Sequence, residues 1–186
     1  ETGETIEALF EKKKEKLKTE RPFRAPHHSI SLKGMVGGGI QLHPGEISLA
    51  HQGVLFLDEL PEFQKQTLDN LRQPMEDKQI TITRASGSFS YPANFMLVGA
   101  MNPCKCGYYP DFTRCRCTES SIRSYLNKIS RPLVDRVDIS VLAQEVNYAD
   151  MMESKKEENS ACIRKRVLEI HQLQWLRYQD ESYQFN

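Results

Sequence analysis

The sequence predicts an α/β fold with a parallel sheet flanked by helices, and three observations carry that expectation. The runs Val54 to Leu57 and Phe95 to Met101 are continuously apolar, as strands buried on both faces of a parallel sheet are. Between them, Phe63, Thr67, Leu68 and Leu71 form one stripe at helical spacing after Pro61, a residue suited to a first turn. From residue 79 to 91 the pattern alternates, with Ile80 and Ile82 on one side and Thr81 and Thr83 on the other, as in a β-hairpin.

The elements follow in order. Residues 4 to 18 read as a helix whose apolar side is Ile6, Leu9, Phe10 and Leu17; Lys12 to Lys16 is its solvated face rather than a nucleic-acid contact. Arg21-Pro22 ends it. Residues 22 to 53 hold three prolines and six glycines, too much punctuation for regular elements, and read as a long functional loop with a short helix over Glu46 to His51. The strand Val54 to Leu57 follows, then the helix after Pro61, which Pro74 is expected to stop. The hairpin turns at Ser86-Gly87 and returns through Phe89 and Tyr91. The second strand ends at Asn102-Pro103. Ser120 to Lys128 is helical, with Ile122, Tyr125 and Leu126 on one side, and Val137 to Leu142 reads as a third strand. The core is expected over residues 1–142, and residues 143–186 hold a polar linker and a last helix from Ser160 to Gln179.

Composition removes several classes. The 186 residues carry 25 basic and 25 acidic side chains, so bulk basicity does not drive nucleic-acid binding, although a local patch remains open. No run of about 18 apolar residues exists to span a membrane. The first residues, from Glu1 to Thr5, lack a basic and apolar leader. Four of five cysteines fall between Cys104 and Cys117, a clustering of intracellular metal sites more than of secreted disulfide frameworks, so a cytoplasmic location is expected.

The two strands each end in polar groups, Asp58-Glu59 on one and Asn102 on the other. Ligands of open parallel sheets sit beyond the carboxyl ends of the strands. There an aspartate holds Mg²⁺ beside phosphates, a glutamate accepts a proton from water, and an asparagine orients that water or the γ-phosphate. The plainer alternative is a surface Asp-Glu pair favoured by a helix dipole.

At these residues the sequence resembles a family. Gly53 to Glu62 is similar to the Walker B segment of AAA+ ATPases. Five further segments (Arg21 to His28, Pro44 to His51, Leu71 to Glu76, Val98 to Cys104 and Arg131 to Asp138) resemble the ComM/YifB type of magnesium-chelatase-like AAA+ protein. The resemblance implies a partial AAA+ P-loop core with a β-hairpin insertion and the start of a helical lid. It implies that Asp58 serves Mg²⁺, Glu59 activates water, Asn102 is the sensor and Arg136 is the arginine finger offered to a neighbouring subunit, with Arg131 the runner-up. An ion pair with Asp135 or Asp138 is the plainer role for Arg136. The parent would be a hexameric, ATP-driven motor acting on DNA in recombination and natural transformation. Alternatives are a chelatase-type ATPase that remodels a protein for metal insertion, or an enhancer-binding transcription activator, whose G-A-F-T-G-A-like loop is absent.

No G-x-x-x-x-G-K-[ST] occurs in the 186 residues, and the glycines from Gly34 to Gly39 lack the following Lys-Ser/Thr of a P-loop. The chain is therefore expected to be a piece of a longer protein, with its sensor-2 arginine beyond Asn186, and to be inactive alone. The resemblance places the hairpin and the 34-to-45 loop at a ring pore. Lys33 and Arg84 would meet phosphates there, and Phe89 or Tyr91 would stack on a base, unless the rings pack beneath the hairpin.

Cys104, Cys106, Cys115 and Cys117 can close a tetrahedral Zn²⁺ shell, with two disulfides or free thiols as alternatives. Lys105, Arg114 and Arg116 would offset its charge. His27 and His28 are substitute ligands or, more simply, local hydrogen-bonding groups. From Lys105 to Arg136 seven basic residues face three acidic ones, a balance suited to a subunit interface or a DNA-facing surface.

Overall fold

The computed structural model describes residues 20–39, 42–84, 87–143 and 158–178. The helix expected at 4 to 18 and most of the linker lie outside them. The chain forms two compact units, Glu1–Val137 and Asp138–Asn186.

The first unit is built on a three-stranded parallel sheet. Its strands are β1 (Phe23–Arg24), β4 (Val54–Leu57) and β7 (Met96–Gly99), in the order β1-β4-β7. The expected third strand, Val137 to Leu142, is not one: Ile139, Val141 and Leu142 are about four-fifths exposed in irregular backbone. Its place in the parallel sheet is taken by β1, from the segment read as loop. Phe23 pairs with Val54 and Arg24 with Leu55, a strand too short to show a period. Gly53 permits this approach, because a Cβ there would overlap the Pro22 carbonyl, which accepts a hydrogen bond from Val54 N at 2.8 Å.

Burial in β4 alternates despite its continuous apolar sequence. Leu55 and Leu57 are fully buried, whereas Val54 and Phe56 are half-buried. The half-covered face continues through Phe23, Met96 and Val98, and the Phe23 and Phe56 rings stack at 6.0 Å. The buried face joins one core with side chains from α1 (Leu32–Val36), α2 (Glu46–Leu49), α3 (Lys65–Asp69) and α6 (Arg131–Val134), chiefly Met35, Ile47, Leu68 and Leu133. Arg24 Nε and Nη2 donate to the Glu46 carboxylate at 2.6 and 2.7 Å, tying β1 to α2.

The single helix expected after Pro61 is three pieces: a 3-10 turn at Leu60–Glu62, α3, and α4 (Arg72–Asp77). Pro74 does not stop the helix but sits in the first turn of α4, where a missing N–H breaks no helical bond. The hairpin is β5 (Gln79–Arg84) and β6 (Gly87–Pro92), paired from Gln79↔Pro92 to Arg84↔Gly87. Its connecting residues 85 and 86 lie outside the described set. Two short strands, β2 (Gly37–Gly38) and β3 (His43–Pro44), pair within the glycine-rich segment. Helix α5 (Glu119–Leu126) is capped by Thr118 Oγ1, which accepts from Ser121 N, and buries Ile122 and Tyr125.

In the second unit, α7 (Ser160–Arg177) is capped by the Asn159 side chain and buries none of its residues. Ile163, Val167, Leu173 and Trp175 are all exposed. No helix among the described residues is long and apolar enough to cross a membrane.

Leu57 is the buried anchor one residue before the acidic pair. Leu57→Ala is expected to cost about 2–5 kcal/mol, through lost burial plus an unfilled cavity, read as a lower urea midpoint.

Candidate functional site

The site begins where two parallel strands stop. Leu57 pairs with Gly99, so Asp58-Glu59 and Ala100 to Asn102 emerge on the same edge of the sheet. Ala100 N donates to Leu57 O at 2.9 Å and Leu60 N donates to Ala100 O at 3.0 Å, which fastens the two exits together. Asp58, Glu59 and Asn102 are all exposed.

The turn after β4 aims the carboxylates. Asp58 Oδ1 accepts from Glu59 N at 2.8 Å. That leaves carboxylate lone pairs for a hard cation such as Mg²⁺, directly or through its water. Glu59 has φ 52 and ψ 46, a left-handed conformation uncommon for a residue with a side chain and typical of functional turns. Its Oε2 lies 3.1 Å from His28 Nδ1. The His28 ring stands 4.0 Å from the His27 ring and edge-on to Phe63 at 6.3 Å. His27 does bond locally, to Ser29 Oγ at 2.8 Å. His28 instead reaches across the fold to Glu59, a partnership that no sequence spacing signals.

Arg136 pairs with neither Asp135 nor Asp138. Its guanidinium forms an ion pair with Glu76 and donates to Pro132 O at 2.6 Å, while its Nε is buried without a partner among the described residues. Glu76 was legible only as part of a segment similar to the family, not as a site residue.

Lys33 lies on the exposed side of α1, and Arg84 ends β5 opposite Gly87. The hairpin and the 34-to-45 segment are joined, since Tyr91 Oη donates to Leu42 O. Tyr91 and Phe89 pair with Ile80 and Ile82; Tyr91 is half-buried and Phe89 remains 40% exposed. On the other face Thr81 bonds Ser90 at 2.9 Å and Thr83 bonds Ser88 at 3.2 Å. The run from Gly34 to Gly39 spans most of α1 and all of β2, with no phosphate-binding lysine after it.

Directly beyond Asn102, the thiols of Cys104, Cys106, Cys115 and Cys117 lie within 4.8 Å of one another. Cys104 Sγ is 3.3 Å from Cys106 Sγ and 3.8 Å from Cys115 Sγ, and the last two are 3.6 Å apart. Zn–S bonds of about 2.3 Å in a tetrahedron put sulfurs about 3.8 Å apart, so the donor set fits zinc. A disulfide needs about 2.05 Å, and all five cysteines are free. The Tyr108 N–H and the Cys104 thiol hold Cys106 down at about 6. Burial raises the Cys104 thiol, but hydrogen bonds led by the Tyr109 N–H leave it below its ordinary value. At Cys115 the Cys117 N–H pulls downward, but burial and the thiols of Cys106 and Cys104 push it up to about 12. Four thiols this close share protons instead of ionising together, unless a divalent cation supplies the missing charge.

Residues 2–151 match the family described as magnesium chelatase, subunit ChlI. The uncharacterized protein YifB of Salmonella typhimurium is 47% identical over 167 residues, covering 85% of this chain and 31% of that protein. The competence protein ComM of Haemophilus influenzae is 46% identical over 159 residues, with the same coverage of 85% and 31%. The uncharacterized protein Mb2921c of Mycobacterium bovis is 40% identical over 169 residues, covering 90% of this chain and 33% of its own length. The chain thus spans about a third of the length of these relatives.

The thiols sort by reactivity in metal-free protein. At neutral pH Cys106, with its pKa at about 6, is mostly thiolate, whereas Cys115, at about 12, is protonated. Mass spectrometry after brief iodoacetamide treatment should find Cys106 alkylated well before Cys115. Cys106 alkylation should slow as the pH falls below about 6, where its thiol protonates.

Proposed function

This chain belongs to the magnesium chelatase, subunit ChlI family, and on that premise we propose that it carries the Walker B half of the nucleotide site of a Mg²⁺-dependent AAA+ ATPase. The observation that carries the reading is the Leu57↔Gly99 register, which brings Asp58, Glu59 and Asn102 to one sheet edge. Asp58 holds the Mg²⁺ of bound ATP, Glu59 takes a proton from the attacking water, and Asn102 orients that water or the γ-phosphate. His28 supports the reading by giving Glu59 a fixed partner. Arg136 is the finger offered to the neighbouring subunit's nucleotide in a hexameric ring. It leaves Glu76 for the γ-phosphate when the ring assembles. The phosphate cradle comes from outside these 186 residues, which contain no G-x-x-x-x-G-K-[ST]. The chain alone is therefore inactive.

Within that class we favour a cytoplasmic motor acting on DNA in recombination and natural transformation. Support comes from similarity to a protein named for competence and from the tie between the two insertions at Tyr91 and Leu42. Lys33 and Arg84 would contact the backbone phosphates. A chelatase-type role, remodelling a protein partner for metal insertion, is the second reading, favoured by the family description itself. In either case Cys104, Cys106, Cys115 and Cys117 hold a structural Zn²⁺ that closes the segment after Asn102.

Two measurements on the full-length protein test this. Glu59→Gln should retain ATP binding while turnover falls about 10²-fold or more, because the base is removed but the charge clamp is not. Unchanged turnover would remove Glu59 from the mechanism. For the DNA reading, affinity should fall steeply with salt and the log–log slope should flatten by about one for each of Lys33→Ala and Arg84→Ala. Absence of DNA binding at low salt would leave the chelatase-type reading.

A further inference from the structure

The lobe from Cys104 to Cys117 has side chains that the nucleotide site does not use. It follows Asn102, beyond the end of β7 at Gly99, and runs to Thr118, the cap of α5. Four sulfurs gather at its centre, and Cys104 is fully buried. Its outer surface is aromatic and basic. Phe112 is 75% exposed, more than any other phenylalanine among the described residues. Its ring stands edge-on to Tyr109, at 5.7 Å and 89°. The Arg114 guanidinium lies 4.2 Å over the Tyr108 ring, which is itself exposed. Lys105 and Arg116 are exposed beside them. The one acid, Asp111, is also exposed, its Oδ1 accepting from Thr113 N at 2.9 Å and Thr113 Oγ1 at 2.6 Å.

We propose that this lobe is a stacking platform for the bases of single-stranded nucleic acid. No Leu, Ile, Val or Met occurs from Cys104 to Cys117, so the large apolar side chains of this surface are all planar rings. It offers flat rings beside guanidinium and ammonium groups, which suit a base and its phosphate. Duplex bases are already stacked on one another, so the ligand is an unpaired strand. The thiol cluster pre-organises the rings, and little entropy is lost when a base docks. The lobe's cations largely offset a tetrathiolate shell and Asp111. Stacking rather than phosphate attraction therefore carries the affinity, and the salt slope of this contact is shallow.

The platform goes beyond the phosphate contacts assigned to Lys33 and Arg84 and rests on the proposed zinc only for its rigidity. The test is fluorescence anisotropy of a labelled oligothymidylate of about a dozen nucleotides with the zinc-loaded chain, with zinc content measured on every preparation. Phe112→Ala combined with Tyr108→Ala should weaken binding about tenfold or more, while Phe112→Trp keeps it. Phe23→Ala, an exposed ring outside the lobe, should leave it unchanged. An abasic strand of equal length should bind like the double variant. The proposal is overturned if wild type does not bind, if the double variant binds as wild type does, if the abasic strand binds as tightly as the oligothymidylate, or if polyglutamate competes equally well. A zinc-free chain that still shows the loss upholds the platform and removes the metal. A zinc-loaded chain without the loss does the reverse.

Discussion

Parallel pairing of β4 with β7 is the constraint on which the rest of the first unit depends. Four consecutive residue pairs, Val54↔Met96 to Leu57↔Gly99, align the two strands so that they end together. Leu55 and Leu57 anchor the pairing in the core, and the hydrogen bonds at Ala100 and Leu60 carry it past the last strand residues. A one-residue slip would turn Leu57 out of the core and carry Asp58 toward it. Core packing and the placement of charge are therefore enforced by the same register.

Beyond the strand ends, control passes from the sheet to individual polar contacts. Glu59 adopts a left-handed backbone, which costs of order 1 kcal/mol or more and persists only where the surroundings hold it. The Asp58 carboxylate on its N–H, Glu62 N on its carbonyl at 2.7 Å and His28 on its side chain hold it. Arg136 is restrained in the same way by Glu76 and Pro132 O, with one nitrogen left without a partner among the described residues. A half-buried guanidinium with an unused donor is poised to exchange partners, which suits the proposed finger. Glu76 would then be the resting partner that ring assembly displaces.

The cysteine lobe solves a different problem. The segment from Pro103 to Thr118 has no helix or strand to satisfy its backbone. Backbone N–H groups of Cys106, Tyr108, Tyr109, Arg116 and Cys117 point at the sulfurs instead. Their attraction for negative sulfur and the mutual repulsion of the thiols explain why one thiol falls to about 6 and another rises to about 12. A bound divalent cation would remove that conflict. It would also stiffen the stretch that follows Asn102, linking the metal to the geometry of the sheet edge.

The chemistry of the site was legible in the sequence wherever it is local. The apolar runs ending in Asp58-Glu59 and Asn102, the alternation of the hairpin and the four clustered cysteines each lie within a few residues, and period and spacing report them directly. What the chain could not show was pairing across distance. The two residues of β1 have no readable period, so the expected third strand was placed at Val137 to Leu142, an apolar stretch that the fold leaves exposed. Pro74 looked like a stop because sequence does not reveal that a new helix begins two residues before it. His28 with Glu59 and Arg136 with Glu76 join residues tens of positions apart. Sequence determined which groups are present and which local elements carry them. Only tertiary structure decided which of those groups meet, because contacts between distant segments depend on packing, which leaves no periodic trace along the chain.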